Sequence, residues 1–110
     1  MKKILSVMLL AVALIFVSGQ NTQAEASEVY VGNYSDGSAV YLLTHTVSIR
    51  SYNPYTFTCQ VRAGYDYLNY SFYPMNGSPY YKNSEGYSGY VNGGQSPVAS
   101  NIYRYVVNNW

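Results

Sequence analysis

At 110 residues with a formal net charge of +1, the chain is too short for several domains and carries no electrostatic footprint for nucleic acid or an anionic membrane surface. Charged residues make up only 10 %, whereas Tyr occurs 15 times, a composition opposite to that of disordered chains. Cys59 is the lone cysteine, so no disulfide can form within the chain and packing alone must hold the fold.

Lys2 and Lys3 open the chain and Ile4 to Val17 follows as an apolar run interrupted by Ser6, the charge-then-apolar order of an export signal. A bilayer span needs about 20 apolar residues, so the run predicts a removed leader, with an uncleaved anchor as the alternative. Ser18 to Thr22 is polar, and Ala24 and Ala26 are the small residues a signal peptidase fits; the cut is placed after Ala26, with Ala24 as the alternative. The expected organisation is a signal peptide at 1–26 and one small exported domain at 27–110, which leaves 84 of the 110 residues in the mature chain. The expected address is periplasmic, cell-surface or extracellular, with no stable membrane span after cleavage. The mature domain keeps four basic and four acidic side chains, the latter being Glu28, Asp36, Asp66 and Glu85.

Val29 to Tyr34 reads as a first strand, and Asp36-Gly37 as the hairpin turn after it. Ala39 to Thr44 returns, Val47 and Ile49 continue in extended alternation, and Asn53-Pro54 breaks the run. Residues 55–63 alternate most clearly, with Phe57, Cys59, Val61 and Ala63 facing one way and Thr56, Thr58, Gln60 and Arg62 the other. After a turn at Gly64, Leu68, Tyr70 and Phe72 continue the core face, opposite Tyr67, Asn69, Ser71 and Tyr73; Pro74 is expected to end this strand. Asn76-Gly77 is a second strong turn pair, followed by short strands near Pro79 to Tyr81 and Tyr87 to Val91. Ser96-Pro97 then marks a helix start, and Val98, Ile102, Tyr105 and Val106 recur at helical spacing, although a last strand is the alternative. The fold class is therefore mainly β (α+β): a compact antiparallel meander or small half-closed barrel of five or six strands, with one C-terminal helix across the sheet.

Residues able to do chemistry are sparse. His45 is the only histidine and carries no nucleophile motif, although a Ser or Cys59 with Asp36 or Asp66 would complete a triad if the fold brought them together. Cys59 lies on the apolar side of its strand, where a thiol acts as a small hydrophobe of raised pKa. The scattered acids have no metal-ligand spacing, so neither metal nor cofactor is expected. The positive feature is the tyrosine set. Tyr65, Tyr67, Tyr73, Tyr80 and Tyr81 are the candidate binding surface, their rings being suited to stacking on a glycan or burying against an envelope protein; a self-covering second face is the bland reading.

Tyr30-Val31-Gly32 to Tyr41-Leu42-Leu43, Val47-Ser48-Ile49, the Phe57 to Ala63 strand and the closing Ser96-Pro97-Val98-Ala99 to Ile102-Tyr103-Arg104-Tyr105-Val106 form a layout. It resembles small exported bacterial proteins and, more distantly, the surface-adhesin E-like group. That group has an Asp shortly before its Ser-Ile pair, where this chain reads Thr44-His45-Thr46-Val47. The resemblance implies a non-enzymatic role in the cell envelope and brings no catalytic residues with it. The expected function is a non-catalytic binding or structural module; the alternative is a small secreted hydrolase or enzyme inhibitor using His45.

Overall fold

Where the chain reverses is set by residues that accept unusual backbone angles at little cost, and the described part of this protein is punctuated by them. The structure, a computed structural model, describes residues 27–110, so the expected export signal at 1–26 lies outside the described residues. Six strands follow in chain order: β1 Glu28–Asn33, β2 Ala39–Tyr52, β3 Tyr55–Ala63, β4 Asp66–Met75, β5 Ser78–Asn83 and β6 Ser88–Tyr90. Each pairs antiparallel with its sequence neighbours in the order β1-β2-β3-β4-β5-β6, the up-and-down meander the alternation implied. Asn76 (φ 53°) and Gly77 (φ 81°) both take positive φ between β4 and β5, as a two-residue primed turn requires.

A 3-10 turn at Val91–Gly93 leads to helix α1, Pro97–Asn109, so the alternative of a terminal strand is overturned. Ser96 caps the helix, its hydroxyl accepting from the Ala99 amide at 3.1 Å, and Pro97 occupies the first helical position, where its missing N–H costs nothing. Helix α1 packs against β1 and the 3-10 turn that follows β6, so it spans the gap between the two edges of the curled sheet. Its buried residues Val98, Ala99, Ile102 and Val106 meet Val31, Val40, Leu42, Phe57, Cys59, Val61, Leu68, Tyr70, Phe72 and Tyr81 in one contiguous core on the concave face.

Three strands depart from the simple reading. Strand β2 runs through residues read as two separate stretches, and it does so by means of an irregularity between Leu43 and Ser48, which pair with Gln60 and Thr58. There the Thr46 hydroxyl donates to the Leu43 carbonyl at 2.6 Å and accepts from the Gln60 amide at 2.8 Å, standing in for backbone groups that the bulge takes out of register. Strand β4 does not stop at Pro74, which is paired opposite Pro79. The β3–β4 ladder ends at the Phe57–Phe72 pair and the β5–β6 ladder reaches only to Tyr80–Tyr90, so neither proline removes a ladder bond.

Strand β1 bulges between Tyr30 and Gly32, which turns the Val31 side chain into the core and its carbonyl toward the helix, where Asn101 Nδ2 donates to it at 2.9 Å. Gly32 sits at φ 121°, a region open to glycine, and a Cβ there would stand 3.4 Å from Asn101 Nδ2. Gly32→Ala is therefore expected to lower stability by about 2 kcal/mol, read as a lower urea midpoint at unchanged slope. A midpoint equal to that of the parent protein would show that β1 relaxes freely against the helix.

Candidate functional site

In an up-and-down meander the odd-numbered hairpins all turn at one end of the sheet and the even-numbered ones at the other. The β1–β2, β3–β4 and β5–β6 turns therefore gather at the end where helix α1 begins. They enclose a cleft of about 740 Å³, and its wall includes Tyr34, Tyr70, Tyr81, Tyr87, Asn83 and Gln95 together with Asp36, Asp66 and Glu85. A volume of this size is in the range that holds a small molecule.

The floor of the cleft is built from phenols. Tyr70 is 1 % and Tyr81 6 % exposed, with their rings 5.9 Å apart and near-parallel. Tyr34 reaches down from the first turn, and its hydroxyl lies 2.7 Å from that of Tyr70. Burial pushes both of these phenols above the ordinary tyrosine range, and for Tyr34 the shared hydrogen bond adds to the rise. Buried Asn83 supports the far wall, its Oδ1 accepting from the Glu85 amide at 3.0 Å and the Tyr87 amide at 3.1 Å, which fixes the β5–β6 turn. Asp36 is held in the same way at the first turn, where the Ser38 amide donates to its Oδ1 at 2.8 Å and keeps the carboxyl below the usual aspartate range. Among the described residues the Tyr81 hydroxyl has no hydrogen-bond partner, so a buried donor is left open to the cleft.

The charges are unevenly placed. Three of the four acidic residues between 27 and 110 line the cleft, and none of the basic residues or His45 does. The fourth acid, Glu28, is on the outer face in a two-pronged ion pair with Arg62, at 2.6 Å and 3.0 Å, which holds its carboxyl below the ordinary range. Arg62 is further engaged over the Tyr41 ring at 4.9 Å and with the Gly64 carbonyl at 3.0 Å.

The five tyrosines singled out from the sequence do not form one surface. Tyr65 stands fully exposed at the β3–β4 turn, and Tyr67 lies beside Arg62 on the outer face, paired with it in register. Tyr73 and Tyr80 pair across β4 and β5 with rings 5.7 Å apart, and Tyr80 meets Tyr90 edge-on at 5.0 Å. Tyr67 and Tyr73 share a face but are six residues apart along β4, about 20 Å. Tyr81 is the correction: adjacent strand residues point to opposite faces, so it turns inward while Tyr80 turns out, and it belongs to the core and the cleft.

Nor are the residues of a possible triad assembled. Cys59 is buried on the concave face, with its thiol pushed up to about 12 by burial. His45 is exposed on the β2 bulge. Asp66 shares a row with Val40 and Ala63, whereas His45 lies beyond the Leu43–Gln60 row, at least three residues or about 10 Å further along the sheet. The His45 imidazole is thus out of hydrogen-bond reach of the Asp66 carboxylate, and it is exposed where the Cys59 thiol is buried.

No protein-family model matches the chain, and neither does any curated protein or solved structure. Among the described residues no helix is long and apolar enough to cross a membrane.

Proposed function

We propose that the chain is a non-catalytic exported module of the cell envelope or extracellular space that holds a small ligand in the cleft at the open end of its half-barrel. The observation that carries this reading is the convergence of buried Tyr70 and Tyr81 with Tyr34 and Tyr87 on a single concavity of about 740 Å³. Rings fixed by packing offer apolar area at little entropic cost, and their hydroxyls orient what binds. The leader-like segment at Lys2 to Ala26 and the resemblance to surface-adhesin E-like proteins favour an envelope setting. The separation of His45 from Cys59 and the acids favours binding over catalysis.

A mixed panel of sugars, dipeptides and amines, screened by ligand-observed NMR, tests the reading. Panel members that bind are expected to lose affinity in Tyr87→Ser, a residue 68 % exposed and outside the core. If binding survives that change and disappears instead in Tyr67→Ser with Tyr73→Ser, the outer face is the binding surface and the cleft is not.

A further inference from the structure

The electrostatic inventory of the cleft is one-sided. Asp36, Asp66 and Glu85 line it, and among the described residues none of the three has a basic partner, whereas Glu28 outside it does. The first turn of α1 also faces the cleft through Ser96, Pro97 and Val98, and a helix N-terminus presents about half a positive charge. Three carboxylates outweigh that, so the field inside is negative.

The nature of the cation follows from how the acids are spread. Asp36 and Glu85 sit on the β1–β2 and β5–β6 turns and Asp66 opens β4, and among the described residues no three carboxylate, thiol or imidazole groups come together at metal-ligand spacing. The same cleft is lined by four aromatic side chains, Tyr34, Tyr70, Tyr81 and Tyr87, among smaller polar and apolar residues. A compact metal ion needs converging oxygens, whereas a diffuse organic cation is satisfied by ring faces with carboxylates a few ångströms further out. The buried Tyr81 hydroxyl, without a partner among the described residues, supplies a polar contact for a substituent on such a ligand.

We propose that this cleft takes an organic ammonium ion, held against the Tyr34 and Tyr87 rings, within reach of the Tyr81 hydroxyl, and neutralised by Asp36, Asp66 and Glu85. The assignment rests on the reading of the cleft as a ligand site and names the class of ligand. Alkylated ammonium groups fit best, because they have few N–H donors to satisfy and shed water easily onto aromatic faces.

Choline is the probe, titrated into the protein and followed by protein NMR. Saturable shifts are expected at Tyr34, Tyr81 and Tyr87, weakening as salt is raised. Asp66→Asn combined with Glu85→Gln alters two exposed side chains that make no ion pair among the described residues, and it is expected to cost roughly tenfold in choline affinity. The uncharged carbon isostere of choline, of the same shape, is expected to bind at least about tenfold more weakly. Equal affinity for the isostere, or an affinity unmoved by the two carboxylate changes, overturns the assignment. If choline leaves the cleft unperturbed while a neutral panel member binds there, the ammonium class falls and the binding site stands; if neither binds, both fall.

Discussion

Phe72→Ala is expected to bring this domain to the edge of unfolding. Phe72 is 1 % exposed and sits at the centre of an aromatic layer, stacked on Phe57 at 4.7 Å with Tyr70, Tyr103 and Tyr81 at 5.9, 6.0 and 6.4 Å. Truncating a buried Phe costs about 3–5 kcal/mol through lost transfer energy and the cavity left behind. A folded unit of this size holds only about 4–13 kcal/mol in all, and no disulfide supplements it. The loss also reaches the helix, because Tyr103 docks on Phe57 and Phe72 and is a contact through which the C-terminal half of α1 meets the sheet. The urea midpoint is expected to fall by about 2 M or more at a slope near 1–2 kcal/mol per molar urea. Tyr65→Ser, at a fully exposed turn, is the control and is expected to stay within about 0.5 kcal/mol of the parent. A Phe72→Ala midpoint within about 0.5 M of the parent would mean that the aromatic layer does not hold the core together.

That layer was readable before the fold was seen, because Phe57, Cys59 and Val61 against Leu68, Tyr70 and Phe72 alternate over enough residues to fix both the strands and their inward face. The helix was legible from one dipeptide: Ser96-Pro97 supplies a cap and a pre-set φ, and the apolar period changes right after it. The β2 bulge was not legible. Alternation merely stumbles at Thr44 to Val47, and what rescues the strand is a hydroxyl replacing backbone partners, for which no local sequence rule exists. Pro74 misled for a related reason, since whether a proline interrupts a ladder depends on which neighbour it faces, and here the neighbour has already run out.

The site was hidden differently. Its acids come from positions 36, 66 and 85, each within two residues of a turn glycine at Gly37, Gly64 or Gly86, and along the chain they read only as scattered acids. Their meeting is a consequence of topology: once strands are counted, odd hairpins share an end, and all three cleft acids are on odd hairpins. The even turns, Asn53-Pro54 and Asn76-Gly77, carry no acid. That parity was available from the sequence and would have found the cleft; counting tyrosines did not, because the count treats Tyr80 and Tyr81 as a pair when the pleat sends them to opposite sides.

Alkaline solution is expected to unfold the protein well before any backbone chemistry begins. Cys59 keeps its proton in the fold up to about 12 because burial disfavours the thiolate, whereas an unfolded cysteine releases it near about 8.5. Between those values the native state binds more protons than the unfolded one, so the free energy of unfolding falls as pH rises. Stability is therefore whole below about pH 8.5, and the thiol alone removes on the order of 1 kcal/mol per pH unit above it. Tyr34 and Tyr70, also raised by burial, add to the decline once unfolded tyrosines begin to ionise near about 10; partly exposed Tyr103 adds least. Urea midpoints measured from about pH 7 to 10.5 should hold level and then drop. Cys59→Ala, despite a lower starting stability from the lost sulfur, should remove the slope between about pH 8.5 and 10 and leave the steeper fall above it. A flat profile through that first window in the parent, or an unchanged slope in Cys59→Ala, would place the thiol in contact with water and take Cys59 out of the core.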